Sequence, residues 1–249
     1  MNKYAVMGSP ISHSHSPILH AAGFEYLGIE AQYEAVDKSK LSLEDLFGYA
    51  GLSLTMPLKL DAYELADAHD DESLDTGVSN TLLISSGRIT ALNTDVYGVS
   101  KAIEPLDAES VQIIGTGATA KSAAIAVRDR KVFFSGRNPE KVTQIENWAE
   151  SKRIEVSPSK KVDVVIDTTP GESEIDYVEY QRVLDVAYGS NRNLSNPKLI
   201  SGLEMLLHQA VLQNVAFSAS QVIKKTNFEE LTSVMRGALE SRVGEWSNA

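Results

Sequence analysis

The chain has no cysteine among its 249 residues. That excludes disulfide scaffolds, Cys-ligated zinc, iron–sulfur clusters and thiol nucleophiles. Positive charge is also scarce: 23 Lys and Arg stand against 34 Asp and Glu, a net charge of −11. A general nucleic-acid binder or an anionic-membrane binder needs the opposite balance, so neither partner is expected. An anionic ligand would meet repulsion at long range and would need local cations or helix N-termini to bind. Long apolar runs are missing too. No stretch approaches the roughly 18 residues of a membrane span. Pro10 and Pro17 interrupt the N-terminal segment where a signal peptide would place its apolar region. The cytoplasm is the expected compartment. With 16 Gly and 8 Pro, the chain is not of low complexity.

What is present is ordinary for a globular protein: 43% apolar and 23% charged residues. The length allows one large domain or two small ones, and either can bury a core. Short apolar runs alternate with helical stretches and no repeat is visible. Strands are expected at residues 4–8, 32–36 and 52–54, helices at 16–27 and 58–66, and a hairpin joins runs 81–84 and 89–92 across Ser-Ser-Gly-Arg. A second β–α series has strands at 111–115, 132–135, 162–167, 183–186 and 199–201, with helices at 118–127, 139–148 and 203–215. A last helix at 227–243 starts with a capping-box pattern, Thr226 to Glu229. This pattern predicts an α/β protein with a parallel or mixed sheet. The boundary is placed at residues 95–109, around Pro105. The expected domains are 1–100 together with a C-terminal helix (227–249) packed back on it, and 101–226.

Val-Gln-Ile-Ile-Gly115-Thr-Gly117-Ala118-Thr119-Ala120 reads as a strand, a G-x-G-x-x-A turn and a helix start. The first glycine permits the tight turn and the second lets the backbone approach a pyrophosphate. The small third residue lets the helix pack close to the strand. Free N–H groups at the helix N-terminus then face the phosphates. In this context the turn predicts dinucleotide binding in a Rossmann-like domain. The next strand ends at Ser135-Gly136-Arg137-Asn138 with no acidic residue for a ribose 2′-hydroxyl. Arg137 stands where a 2′-phosphate would lie, and its planar fork suits phosphate oxygens. The expected cofactor is therefore NADP(H).

The opening segment, Gly8-Ser-Pro10-Ile-Ser-His-Ser14-His-Ser16-Pro17, follows a strand and leads into a helix. One serine there would be a helix cap. Two, at 14 and 16, make a carboxylate cradle plausible. His13, His15 and His20 have no acidic partners in the pattern, so they read as surface and packing residues and no metal is expected.

These segments, taken in order, resemble the shikimate dehydrogenase family across nearly the whole chain. The opening segment is similar to a family motif whose two serines bind the substrate carboxylate, which implies that role for Ser14 and Ser16. Gly51-Leu-Ser-Leu-Thr55-Met-Pro57-Leu-Lys59 resembles G-x-N-V-T-x-P-x-K, whose lysine is catalytic, here Lys59. Gly77-Val-Ser-Asn80-Thr81 resembles G-A-V-N-T, whose Asn binds substrate. Asn93-Thr94-Asp95 with Gly98 matches N-T-D-x-x-G, whose Asp pairs with the lysine. The turn at 115–120 corresponds to the family's cofactor loop. Gly202-Leu-Glu-Met205-Leu-Leu-His-Gln209 resembles G-L-G-M-L-x-x-Q, whose Gln binds substrate, and Gly202 and Met205 fall on the cofactor side. Ser53, Ser79 and Glu204 depart from the family's usual Asn, Val and Gly. Gly136 stands where many members have Asn, and Tyr188 is kept while Gly189-Ser190 lacks the proline that follows it in the family.

The chemistry is coherent with that resemblance. Reducing a ketone with hydride needs a proton donor beside the forming alkoxide, and a closely held lysine ammonium can serve. A polyhydroxylated cyclic carboxylate needs many hydrogen-bonding groups, which Ser14, Ser16, Thr55, Asn80, Asp95, Gln209 and Tyr188 can supply. The resemblance implies reversible NADPH-dependent reduction of 3-dehydroshikimate to shikimate by a monomer or homodimer. Two other readings stay open: a quinate or aminoshikimate relative using NAD, and a catalytically silent NADP-binding regulatory protein.

Overall fold

The computed structural model describes residues 1–169, 177–188, 198–219 and 226–244. The positions Gly189 and Ser190, and the end of the expected C-terminal helix (245–249), lie outside them. The described residues divide into two compact units: 1–94 together with 206–244, and 95–205.

The first unit contains β1 (Asn2–Gly8), α1 (Ser16–Tyr26), β2 (Ala31–Asp37), a 3₁₀ turn (Leu43–Leu46), β3 (Gly51–Leu54) and α2 (Lys59–Leu65). It continues with β4 (Ala68–His69), α3 (Asp71–Thr76), β5 (Thr81–Ser85) and β6 (Arg88–Leu92). The sheet is mixed, in the order β2-β1-β3-β5-β6-β4. β1 lies between two parallel neighbours, and Tyr4, Ala5, Val6 and Met7 are all buried, as expected of a strand covered on both faces. The β5–β6 hairpin turns at Ser86 (φ 52°) and Gly87 (φ 76°). Positive φ at both loop residues matches the right-handed strand twist.

The second unit runs through α4 (Asp95–Ile103), β7 (Ser110–Ile114), α5 (Ala118–Ala126), β8 (Lys131–Ser135), α6 (Pro139–Ser151), β9 (Lys161–Asp167), β10 (Glu179–Asp185) and β11 (Leu199–Ser201). Its sheet is wholly parallel, ordered β11-β10-β9-β7-β8. The order reverses between β7 and β9, which makes the carboxyl ends of these strands the topological switch point.

Three sequence expectations shift. The boundary placed at 95–109 falls at its first residue, and α4 fills most of that stretch, because Val99, Ala102 and Ile103 recur at helical spacing and are buried. The helix α7 (Gly202–Ser218) starts in the second unit, but from Leu206 its body belongs to the first rather than to 101–226. Its buried polar residues find their partners there, as described below. The last helix, α8 (Phe228–Val243), is capped by Asn227 and not by Thr226: the Asn227 side-chain carbonyl accepts from the N–H groups of Glu229 and Glu230. α8 packs along α1, and Tyr26 Oη donates to Glu230 at 2.6 Å. Among the described residues no helix is long and apolar enough to cross a membrane.

Candidate functional site

In the first unit the candidate residues sit where strands end. The loop after β1 leads into α1 through Ser14 and Ser16. The Ser14 hydroxyl accepts from the Ser16 N–H at 3.3 Å, and Ser16 is buried. His15, the N-cap, places no side-chain hydrogen bond on the helix. Burial, and then the nearby positive charge of Arg242 and His13, hold the His15 pKa below its ordinary value.

Thr55 follows β3 and is fixed by its backbone, its N–H donating to Met7 at 2.9 Å and its carbonyl accepting from Leu58 at 2.8 Å. Lys59 is the first residue of α2, and its carbonyl accepts from Ser79 N–H at 2.9 Å. That bond ties the start of α2 to the residue before Asn80. Ser79, in place of the family's usual Val, donates its hydroxyl to Ser73 at 2.9 Å.

Asn80 is the best-defined of the candidates. Its Oδ1 accepts from Thr94 N–H at 2.9 Å and from the Thr81 hydroxyl at 2.8 Å. Its Nδ2 donates to Thr94 Oγ1 at 2.9 Å and to Gln209 Oε1 at 3.2 Å. Gln209 Nε2 in turn donates to the Leu206 carbonyl at 2.9 Å. Three segments that the sequence keeps far apart thus meet in one cluster. Asp95, directly after Thr94, opens α4 and is 5% exposed.

Sequence reasoning passed over the polar layer behind this cluster, which is formed by His20, Ser53, Thr81, Gln213 and Asn214. His20 is completely buried and stacks on Tyr33 at a ring separation of 4.3 Å. Burial pushes its pKa down to about 3, although a hydrogen bond to Gln213 opposes the shift. The unfolded value is about 6.5. Between these values the unfolded chain binds a proton that the folded chain refuses, so stability rises with pH across this window. As pH falls through it, up to about 1.4 kcal/mol is lost per unit. Urea unfolding of wild type and His20→Gln from pH 4 to 7 checks this. The wild-type curve should fall away from the variant's as the pH drops below about 6; parallel curves would mean that folded His20 accepts the proton.

In the second unit Gly115 follows β7 with φ +111°, where a Cβ would also collide with the Thr168 hydroxyl at the end of β9. Gly117 is the N-cap of α5, which has no side-chain cap, and a Cβ at this position would meet nothing within 4 Å. Ala118 and Thr119 form the first turn, and Ala120 is buried against the sheet. The turn therefore leaves α5 without a side-chain cap at Gly117 and open space beside that glycine at the switch point. This fits a pyrophosphate.

At the end of β8 the Ser135 hydroxyl accepts from Gln112 at 3.0 Å, and Arg137 is exposed. Asn138 has a structural role, since its Oδ1 accepts from Lys141 N–H at 3.2 Å and caps α6. Tyr188 is half-buried just after β10, and Gly202 and Met205, in the first turn of α7, are buried. Asp167, which the sequence did not single out, lies buried at the end of β9 and accepts from Thr169 and Tyr177. Among the described residues no group of three or more His, Asp or Glu could hold a metal.

Residues 6–82 match the family described as shikimate dehydrogenase substrate binding domain. The shikimate dehydrogenase (NADP(+)) of Ignicoccus hospitalis is 34% identical over 242 residues, covering 84% of this chain and 90% of that protein. The shikimate 5-dehydrogenase of Thermus thermophilus, solved with NADP(H) and shikimate, superposes with a TM-score of 0.78 at 25% identity, covering 96% of this chain and 100% of that one. The Mycobacterium tuberculosis shikimate dehydrogenase gives a TM-score of 0.80 at 26% identity, again covering 96% of this chain and 100% of its own. With the glycine turn at a switch point and Asn80, Thr94 and Gln209 joined in one cluster, the chain belongs to the shikimate dehydrogenase family.

Proposed function

We propose that this chain is an NADP-dependent oxidoreductase that interconverts 3-dehydroshikimate and shikimate in the biosynthesis of aromatic amino acids. The observation that carries the reading is the direct bonding of Asn80 to Thr94 and Gln209, at 2.9 and 3.2 Å. These residues come from three separate motifs, and together they offer a substrate several neutral polar groups.

In this reading Ser14 and Ser16 take the substrate carboxylate at the start of α1. Thr55, Asn80, Gln209 and Tyr188 take ring hydroxyls. Lys59 delivers a proton to the carbonyl oxygen, and Asp95 is the second group of the acid–base pair. Gly115, Gly117, Ala118, Thr119 and Ala120 would hold the cofactor pyrophosphate and Ser135 and Arg137 its adenosine side, with Gly202 and Met205 further residues of the cofactor site. NADPH, when bound, supplies the hydride. The protein binds the ketone in a fixed orientation and keeps a proton ready at the oxygen where negative charge develops.

The same reading places the enzyme in the cytoplasm as a monomer or homodimer, with neither nucleic acid nor membrane as partner. The net charge of −11 supports that last point. The test is to follow the nicotinamide absorbance band with shikimate or quinate and with NADP⁺ or NAD⁺. Turnover is expected with shikimate and NADP⁺. Turnover with quinate and NAD⁺ alone, or none with any pair, would overturn the reading.

A further inference from the structure

Gln213 lies on α7 one turn beyond Gln209 and is 1% exposed. Its amide orientation is set by a group that can only accept: Nε2 donates to the Asn80 carbonyl oxygen at 3.1 Å. Gln213 Oε1 therefore faces the other way, where Ser53 Oγ donates to it at 2.8 Å and His20 Nε2 lies at 3.2 Å. Ser53 is itself held by Tyr33, whose hydroxyl donates to it at 2.6 Å. His20 fits as the neutral Nε2–H tautomer, since Asn214 Nδ2 offers a donor to its Nδ1 at 3.3 Å.

Gln213 Nε2 also donates to Thr81 Oγ1 at 2.8 Å. A hydroxyl that accepts there turns its single proton elsewhere, and Asn80 Oδ1 lies 2.8 Å away. The Asn80 amide is independently anchored, because Thr94 N–H can only donate and lies 2.9 Å from Oδ1. The chain of donors has one polarity throughout: His20 and Ser53 to Gln213, Gln213 to Thr81, and Thr81 to Asn80. Its result is that Asn80 turns its oxygen inward and its NH₂ toward Gln209.

We propose that Gln213 is a positioning residue for substrate binding, which acts through Thr81 to fix the orientation of the Asn80 amide in its cluster with Thr94 and Gln209. The proposal rests on the reading of Asn80 as a substrate-binding residue. It adds the buried layer that gives Asn80 its direction.

The test compares Gln213→Met, Thr81→Val, Thr81→Ser and Asn80→Ala, alone and with Gln213→Met in the Asn80→Ala background, with a thermal melt for each. Gln213→Met and Thr81→Val should each raise the KM for shikimate by about 3- to 10-fold, the scale of one net hydrogen bond. The KM for NADP⁺ should stay unchanged. Thr81→Ser keeps the hydroxyl and should bind shikimate like wild type. In the Asn80→Ala background Gln213→Met should have no further effect on that KM, because the two act through one contact. Folded Gln213→Met and Thr81→Val with unchanged shikimate KM would overturn the proposal. So would effects that simply add to that of Asn80→Ala, which would make Gln213 a packing residue. If Asn80→Ala itself binds shikimate like wild type, the role of Asn80 falls, and the proposal falls with it.

Discussion

Lys59→Ala is expected to lower kcat by about 10²- to 10⁴-fold, the usual range for a general acid–base group. The KM for shikimate should move far less, because the proton is needed chiefly in the transition state. The structure favours a folded variant. Lys59 is only half-buried, whereas α2 is anchored through Leu58 and Ala62, both fully buried. The bond from Ser79 N–H goes to the backbone carbonyl of Lys59 and survives the substitution. Steady-state kinetics in both directions, with a thermal melt to confirm folding, decide the matter. Near-normal turnover of the folded variant would remove Lys59 as donor and pass the role to water or to Asp95.

Arg137→Ala should weaken NADP⁺ by about 10- to 150-fold, the equivalent of one charge-assisted hydrogen bond, and leave NAD⁺ almost untouched. The 2′-phosphate brings about two negative charges to a protein already at −11. Arg137 follows directly on the turn at the end of β8 and is exposed, within reach of a ligand there. Asn138, beside it, is occupied with capping α6. An exposed phosphate contact is screened by salt, so the preference for NADP⁺ should also shrink as ionic strength rises. Dissociation constants for both cofactors, for wild type and variant at low and high salt, provide the check. Equal wild-type affinities for NAD⁺ and NADP⁺ would reject the role of Arg137.

Much of this was legible in the sequence because it is local. The glycine turn, the hairpin at Ser86-Gly87 and the alternation of strands with helices are written in neighbouring residues. Two elements escaped because they are very short: β4 has 2 residues and α3 has 6. The motifs named Asn80 and Gln209, but not what holds them. Gln213 and His20 are separated by 193 positions and bond only in the folded chain. Buried Gln and Asn on α7 carry no local sign of burial, since such side chains are ordinarily exposed.

The division of the chain bears on the order of its synthesis. Among the described residues the second unit is one continuous stretch, Asp95–Met205, and can close its parallel sheet as soon as it has left the ribosome. The first unit cannot. Its six strands are made at the start, but Phe217, which packs on Tyr4 and accepts that tyrosine's hydroxyl proton at its carbonyl, is made near the end. Gln209, Gln213 and Asn214 arrive with it. Until then Tyr4 lacks its contact with Phe217, His20 its partners Gln213 and Asn214, and Asn80 its bond to Gln209. The segment translated first thus completes its contacts only with residues made after the second unit.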